Sequence, residues 1–230
     1  GLSGKPMPTR DAPLRPRYED ATFEAFDLSR NPSMQPALHK CRMVAQKQAW
    51  CALLVGGNGL GKTHLALAAL HEFYGSGPRS EYRENTECPD CGGFGFVQMN
   101  VQRDHPQFGK AIPCRCAGLS GYSPGCFWVV ADYLDYLRQR LAEHGDGFID
   151  LTRTARETDG LMVWDDLGAE KSTDWAYEQL YRIFSDRARY RLPTIITSNA
   201  AMTALDGRLV SRFRSGLVIC KGKDLRAEGL

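Results

Sequence analysis

The clearest chemical pattern in the chain is a glycine-rich octet that ends in Lys-Thr: Gly56, Gly57, Asn58, Gly59, Leu60, Gly61, Lys62 and Thr63. It matches G-x-x-x-x-G-K-[ST], the phosphate-binding P-loop pattern. Glycines let backbone N–H groups turn toward phosphate oxygens, and a following helix adds the partial positive charge of its N-terminus. Lys62 can reach the β- and γ-phosphates of a nucleotide, and the Thr63 hydroxyl can bind Mg²⁺. The octet therefore predicts a site for a nucleoside triphosphate with Mg²⁺.

The segments on either side of the octet favour the same interpretation. Residues 52–55 are a short apolar run, typical of a buried parallel strand. Residues 63–74 are rich in Ala and Leu and favour a helix. Because the strand–loop–helix context is present, we interpret the octet as a nucleotide site rather than as a glycine-rich turn followed by a chance Lys-Thr.

Polar side chains also follow two other apolar runs. Asp165 and Asp166 come directly after residues 161–164, and Asn199 closes the Thr-Ser-Asn end of residues 194–199. In a doubly wound sheet the carboxyl ends of the strands face the ligand crevice. Asp165 can hold Mg²⁺, Asp166 can polarise the attacking water, and Asn199 can hydrogen-bond the γ-phosphate or that water. For Asn199, capping of the next helix is an equally favoured interpretation.

Predicted strands and helices alternate along most of the chain. Besides residues 52–55 and 63–74, the predicted elements are 31–48 (helix), 127–130 (strand), 134–141 (helix), 161–164 (strand), 175–190 (helix), 194–197 (strand), 205–213 (helix) and 217–220 (strand). This alternation predicts an α/β fold, a doubly wound parallel sheet with helices on both faces.

A long insertion interrupts the alternation. Roughly 50 residues separate the helix at 63–74 from the strand at 127–130, where an α/β connection normally takes about 2–6. We assign residues 18–78 and 127–230 to a nucleotide-binding core and residues 79–126 to the insertion. Residues 1–17 carry four prolines and four basic residues against one acid, which predicts a disordered basic tail.

The insertion carries two close cysteine pairs: Cys88, Cys91, Cys114 and Cys116. Two thiolate pairs separated by a loop suit tetrahedral Zn²⁺, and the segment holds few aliphatic residues around which it could fold without a metal. We predict one structural Zn²⁺ in a small zinc-ribbon-like insertion, with His105 and Cys126 as fallback ligands. Free thiols or a redox pair are the alternative. The ribbon could bind DNA or dock a protein, and the residues favour neither.

The composition is that of a globular protein, with 43% hydrophobic and 24% charged residues. A net charge of +2 excludes a global basic field, so any nucleic-acid surface would be local. No apolar run approaches the ~20 residues that a membrane helix needs, so we expect no membrane partner. A P-loop suggests an intracellular supply of ATP, so we expect a cytoplasmic protein. Three cysteines lie in apolar runs and are predicted to be core residues: Cys41, Cys51 and Cys220.

Four segments, taken together, resemble one family: GGNGLGKTHLA, LMVWDDLGAEKSTDW, RLPTIITSN and GRLVSRF. They look like the AAA+ helicase-loader group, that is DnaC, DnaI and the related IstB transposition ATPases. The resemblance runs from about Tyr18 to Arg226, apart from the insertion. It implies an AAA+ fold, the cofactors ATP and Mg²⁺, and self-association of the chain into an oligomer.

The resemblance also implies residue roles, carried over by matching position. The octet with the adjacent His64 forms the nucleotide-binding Walker A segment, the acid pair Asp165 and Asp166 forms Walker B, and Asn199 is sensor 1. Arg212 corresponds to an arginine finger with Arg208 as its neighbour, and Arg226 to the sensor 2 arginine. For these arginines an exposed, salt-bridging side chain is the alternative.

The implied function is ATP hydrolysis coupled to loading or remodelling of a replicative helicase at single-stranded DNA. Asp166 stands where many AAA+ enzymes carry the longer Glu, so we expect hydrolysis to be slow. One alternative is a transposition regulator that binds duplex DNA and activates a transposase. Another is a non-enzymatic adaptor, in which the zinc ribbon binds a partner and the nucleotide only stabilises the fold.

Overall fold

The computed structural model describes residues 21–73, 96–98, 111–113, 127–142, 152–153, 155–169 and 173–225. The chain divides into two compact units. One unit comprises residues 1–20 and 74–124, and the other comprises residues 21–73 and 125–230. The predicted domain boundaries stay a prediction, and the cysteines of the insertion lie outside the described residues.

The helices and strands are, in chain order, α1 (Gln35–Ala45), β1 (Cys51–Gly56), α2 (Lys62–Phe73), β2 (Phe96–Gln98), β3 (Ala111–Pro113), β4 (Phe127–Val129), α3 (Val130–Ala142), β5 (Met162–Asp165), α4 (Asp174–Arg189), β6 (Thr194–Ser198), α5 (Gly207–Arg212) and β7 (Leu217–Cys220). Short 3₁₀ turns occupy Pro32–Met34, Met202–Ala204 and Arg214–Gly216. In the smaller unit, β2 and β3 pair in antiparallel fashion.

The larger unit is built on a five-stranded sheet in the order β4-β5-β6-β1-β7. Every neighbouring pair in this sheet is parallel. The register pairs Val55 of β1 with Ser198 of β6, and Trp164 of β5 with Ile196 of β6. The carboxyl ends of β5, β6 and β1 therefore meet at one edge, where a doubly wound sheet binds its ligand.

Helices cover both faces of this sheet. On one face α3, α4 and α5 form a single core with alternate residues of the strands. The strands contribute Leu53, Val55, Met162, Trp164 and Ile196, and the helical segments contribute Tyr133, Leu180, Phe184, Leu209 and Phe213. The other strand residues point to the opposite face, where α1 contacts β1 and β7 and α2 contacts β5 and β6. This arrangement confirms the predicted α/β parallel sheet with helices on both faces.

Capping residues explain where two of the helices begin. The Thr173 hydroxyl accepts a hydrogen bond from the Ala176 N–H (3.2 Å) at the start of α4. The Asp206 carboxylate accepts from the Arg208 N–H (2.7 Å) and the Leu209 N–H (3.4 Å) at the start of α5. The predicted helix at 205–213 is therefore a shorter α5, because the cap begins it at Gly207.

Two further sequence predictions concern burial and membranes. Cys41, Cys51 and Cys220 are buried, as predicted. In the part of the chain that the structure describes, no helix combines the length and the apolar character needed to cross a membrane.

Candidate nucleotide site

The glycine-rich octet forms the turn between β1 and α2. Gly59 and Gly61 have φ angles of 67° and 89°, a backbone region that glycine adopts without the steric cost of a Cβ. A Cβ at Gly61 would lie 2.4 Å from a ring carbon of Phe26, and a Cβ at Gly59 would lie 1.5 Å from a carboxylate oxygen of Asp224. The loop is thus packed against two distant chain segments, and the positive φ angles at Gly59 and Gly61 disfavour any residue with a Cβ.

Lys62 is the first residue of α2, and its ammonium is turned back over the loop toward the end of β1. Its Nζ donates hydrogen bonds to the Gly56 carbonyl (2.8 Å), the Gly57 carbonyl (2.5 Å) and Asn199 Oδ1 (2.7 Å). The side chain is only 5% exposed, and a buried ammonium is tolerated because these oxygens replace water. The lysine is therefore directed to the space between the P-loop and the end of β6.

Asp165, the last residue of β5, receives two hydroxyl groups on one carboxylate oxygen. Thr63 Oγ1 donates to Asp165 Oδ1 at 2.9 Å, and Thr197 Oγ1 donates to the same atom at 2.6 Å. Burial raises the pKa of Asp165, and the hydrogen bonds from Thr197 and Thr63 act in the opposite direction. A hydroxyl and a carboxylate are the hard oxygen ligands that Mg²⁺ prefers, so Thr63 and Asp165 suit this ion.

Asp166 adopts a backbone conformation that is unusual for a residue with a side chain. Its φ angle is 61°, which costs on the order of 1 kcal/mol outside glycine. The conformation is supported by a hydrogen bond from the Asp166 N–H to Thr197 Oγ1 (3.0 Å) and by one from Asn199 Nδ2 to Asp166 Oδ1 (2.5 Å). The strained turn directs the second carboxylate toward the end of β6.

Asn199 joins the two charged groups. Its Oδ1 accepts from Lys62, and its Nδ2 donates to Asp166. We call this ammonium–amide–carboxylate series, Lys62–Asn199–Asp166, the Asn199 bridge. It uses both ends of the amide, so it favours the predicted site interpretation of Asn199 over a helix cap.

The loop after β5 and the end of β6 are tied together by further hydrogen bonds. The Leu167 N–H donates to the Thr197 carbonyl (2.9 Å), and Ser198 Oγ donates to the Leu167 carbonyl (2.6 Å). These bonds hold the acid pair beside Asn199. Thr197 is a site residue that the motif patterns do not include, although a hydroxyl at the end of an apolar strand is a signal by which it could be found.

Comparisons with known proteins identify the fold. No protein-family model matches the chain, and no curated protein matches its sequence. Solved structures do match. The crystal structure of the DnaC helicase loader aligns with a TM-score of 0.58 at 21% identity, over 90% of this chain and 99% of that chain. The crystal structure of DnaI aligns with a TM-score of 0.52 at 19% identity, over 90% of each chain.

The replication initiator DnaA bound to AMPPCP and single-stranded DNA aligns with a TM-score of 0.57 at 17% identity. That match covers 91% of this chain and 51% of DnaA. The chain shares its α/β fold with these proteins. The superpositions establish the fold, while identities of 17–21% do not establish the activity, which depends on the chain's own residues.

In the larger unit, the predicted Walker A, Walker B and sensor 1 residues converge at one edge of the sheet. Two members of the predicted nucleotide set turn their side chains elsewhere. Leu60 is buried at 3% exposure, and His64 Nε2 lies 2.8 Å from the Thr22 carbonyl with its ring 5.5 Å from that of Phe26. Contacts of Leu60 and His64 with a phosphate would therefore come from their backbones.

The two predicted arginines on α5 are exposed on the surface of the larger unit. Arg208 forms an ion pair with Asp206 at 3.2 Å, as the salt-bridge alternative expected. Arg212 forms no ion pair with any residue that the structure describes, and instead donates to Tyr181 Oη (2.8 Å) and to the Arg208 carbonyl (3.1 Å). Arg226 lies outside the described residues.

The predicted zinc ligands also lie outside the described ranges: Cys88, Cys91, Cys114 and Cys116, with the fallback residues His105 and Cys126. Within those ranges no group of three or more His, Cys, Asp or Glu side chains could hold a metal ion. The zinc site stays a prediction.

Proposed function

We propose that the protein is an AAA+ ATPase that binds ATP with Mg²⁺ and hydrolyses it to ADP and phosphate. The observation that carries this proposal is the Asn199 bridge, because it links the P-loop ammonium to a carboxylate through one amide. It lies beside the Thr63–Asp165 pair, which suits Mg²⁺. Phosphate binding, metal binding and water activation would thus share one edge of the sheet.

Each residue of the bridge has a role that its chemistry supports. Lys62 donates to neutral oxygens in this structure, and a phosphate oxygen is a stronger, charged acceptor for the same N–H groups. Asn199 can then direct its amide at the γ-phosphate or the attacking water. Asp166 can orient that water and accept its proton. Mg²⁺, when bound by Thr63 and Asp165, would neutralise charge on the β- and γ-phosphates.

We further propose that the active form is an oligomer in which Arg212 serves the nucleotide of a neighbouring copy. Its guanidinium is exposed and unpaired with any described carboxylate, which supports this role. A planar, permanently charged group suits the charge that develops on a transferring phosphoryl group. Arg226 is the proposed sensor 2 residue at the chain's own nucleotide.

The biological role that we propose is loading or remodelling of a replicative helicase at single-stranded DNA in the cytoplasm. The family resemblance of the four motif segments supports it, and so does the fold shared with a helicase loader and with a replication initiator. In this proposal residues 79–126 form a zinc-binding module on Cys88, Cys91, Cys114 and Cys116, which contacts the partner or the DNA.

Two experiments test the proposal at its two levels. Calorimetry with ATP and Mg²⁺ should show binding to the wild type and to Lys40→Ala, a lysine that contacts the Ser215 carbonyl, and no binding to Lys62→Ala. Equal ATP affinity in Lys62→Ala would overturn the nucleotide site. Affinity purification from extract of the source cells, in the presence of a non-hydrolysable ATP analogue, should recover a replicative helicase. Recovery of a transposase instead would favour the transposition regulator.

A further inference from the structure

We infer that Tyr181 is a positioning residue for Arg212, holding its guanidinium ready for the nucleotide of a neighbouring copy. The inference rests on the proposed trans-acting role of Arg212 and adds a residue that the motif resemblance does not include. Tyr181 lies on α4 and Arg212 ends α5, so the contact joins two elements far apart in sequence.

The contact between the two side chains restricts Arg212 from two directions. Arg212 Nη2 donates to Tyr181 Oη at 2.8 Å, while the guanidinium carbon lies 4.9 Å from the centroid of the Tyr181 ring. Arg212 Nη1 donates to the Arg208 carbonyl at 3.1 Å, one turn back on α5. These contacts fix the plane of the guanidinium. They use only part of its five N–H donors, so the remaining donors can face a phosphate.

Tyr181 is itself held in place by its neighbours. Its ring stacks on that of Tyr177, with centroids 5.8 Å apart and an interplanar angle of 28°. The Arg208 guanidinium lies 5.3 Å from each of these two ring centroids. Asp206 anchors Arg208 in turn, and the hydrogen bond from Arg208 lowers the pKa of Asp206 to about 2, so this carboxylate is ionised at neutral pH. The hydroxyl that meets Arg212 therefore belongs to an ordered ring.

The fold does not need this contact, which argues against a purely structural role. Helix α5 is anchored by Leu209 and Phe213, both buried, and Phe213 packs against Trp50 (5.1 Å) and Phe184 (6.0 Å). Arg212 is exposed, and surface contacts of this kind add little to stability. An ordered arginine on the surface loses less side-chain freedom when it binds a phosphate, so its prior ordering favours catalysis.

The test separates the chain that donates the arginine from the chain that binds ATP. Arg212→Ala keeps an intact P-loop, and Lys62→Ala keeps an intact Arg212. Mixing the two should restore ATP hydrolysis. The second mixture replaces the donor with Lys62→Ala/Tyr181→Phe, which retains the ring and lacks the hydroxyl. We expect the restored kcat to fall roughly 3- to 10-fold with KM for ATP unchanged, because only one hydrogen bond on the donor chain is lost.

Two matched donors complete the series. Lys62→Ala/Tyr190→Phe makes the same chemical change at a tyrosine that is 64% exposed after the end of α4, and it should rescue like Lys62→Ala alone. Lys62→Ala/Tyr181→Leu removes ring and hydroxyl, and it should rescue less than the Phe variant. Thermal unfolding of each donor checks that its fold is intact. If the Leu variant is unfolded, the comparison with Tyr181→Phe, the smaller change, carries the test.

The outcomes distinguish the two proposals. Full activity of Arg212→Ala alone would overturn the trans-acting arginine and Tyr181's role with it. Arg212→Ala could instead be inactive alone and be rescued equally by Lys62→Ala and by its double variants with Tyr181→Phe or Tyr181→Leu. That result would agree with the proposed function and would overturn the positioning role of Tyr181. Graded rescue in the order Tyr, Phe, Leu supports both.

Discussion

Asn199→Ala is the substitution that most sharply tests the chemistry of the site. The amide contacts Lys62 at 2.7 Å and Asp166 at 2.5 Å, so its loss removes both hydrogen bonds of the Asn199 bridge. Lys62 keeps its contacts with the P-loop carbonyls, and in the proposed binding mode phosphate oxygens would replace these carbonyls. We therefore expect Asn199→Ala to retain ATP binding and to lose hydrolysis.

The size of the effect follows from the two bonds that are lost. A hydrogen bond to a charged group contributes about 1.5–3 kcal/mol, and Asn199 is an exposed residue, so we use the lower end for each bond. Only bonds made in the transition state change kcat, so we assign the amide two such bonds there, to the γ-phosphate and to the attacking water. Their sum is about 3 kcal/mol, which corresponds to roughly a hundredfold decrease in kcat. Loss of a single preorganised hydrogen-bond donor from an enzyme site commonly has an effect of about 10²–10³.

Single-turnover hydrolysis at saturating ATP measures this decrease directly, and calorimetry checks that the ATP affinity stays within about threefold of the wild type. Asn199→Asp is the informative companion variant, because it places a second negative charge beside Asp166 and should also hydrolyse ATP poorly. A kcat of Asn199→Ala equal to that of the wild type would refute the bridge as part of the catalytic apparatus.

Three other predictions concern the residues around the site, the core and the insertion. Thr197→Val should weaken Mg²⁺-dependent ATP binding, because losing the Thr197 hydrogen bond raises the pKa of Asp165 further and a protonated carboxyl cannot bind the ion. As the pH is lowered, the variant should therefore lose this binding at a higher pH than the wild type does. Identical curves for the two proteins in metal titrations over a range of pH would contradict the prediction. Arg187→Met should lower the free energy of unfolding by about 3–5 kcal/mol in denaturant titrations. Arg187 is fully buried and donates hydrogen bonds to Thr194 and to several backbone carbonyls, which would lose their partner. The control Arg189→Met, at an exposed arginine of the same helix, should change the free energy of unfolding little. Of the eight cysteines, the buried Cys41, Cys51 and Cys220 should resist thiol reagents; burial raises the pKa of Cys220, for example, to about 11. If zinc is bound, Cys126 should be the one thiol that reacts fast, and a chelator should then make the four proposed zinc ligands reactive. Five fast-reacting thiols before the chelator is added would count against zinc.

Local patterns were enough to predict most of the sheet and the centre of the site. The P-loop, the acid pair and Asn199 each follow an apolar run, and parallel strands place such positions at the same edge. Their convergence therefore follows from the alternation of strands and helices, without knowledge of the contacts. The order of the strands does not follow from it, so the meeting of Thr197 on β6 with Asp165 on β5 became visible only in the structure.

The remaining features depend on contacts between segments far apart in the sequence. Tyr177 and Tyr181 are spaced four residues apart on an amphipathic helix and look like a solvated face until α5 places two guanidinium groups over them. Arg187 has the helical spacing of the apolar residues Leu180 and Ile183, a signal of burial that its charge obscures. The close approach of Asp224 to Gly59 brings the segment after β7 to the P-loop and has no local signature.

The proposed hydrolysis of ATP at this edge of the sheet is tested most directly by one measurement. Phosphate release from ATP should be followed with purified wild-type protein and with Asp166→Asn, each in Mg²⁺ and in excess chelator. We predict slow, Mg²⁺-dependent release by the wild type, and none by Asp166→Asn although it still binds ATP, because the amide can orient a water but cannot accept its proton. Equal release by both proteins, or release by the wild type that persists without Mg²⁺, would contradict the account.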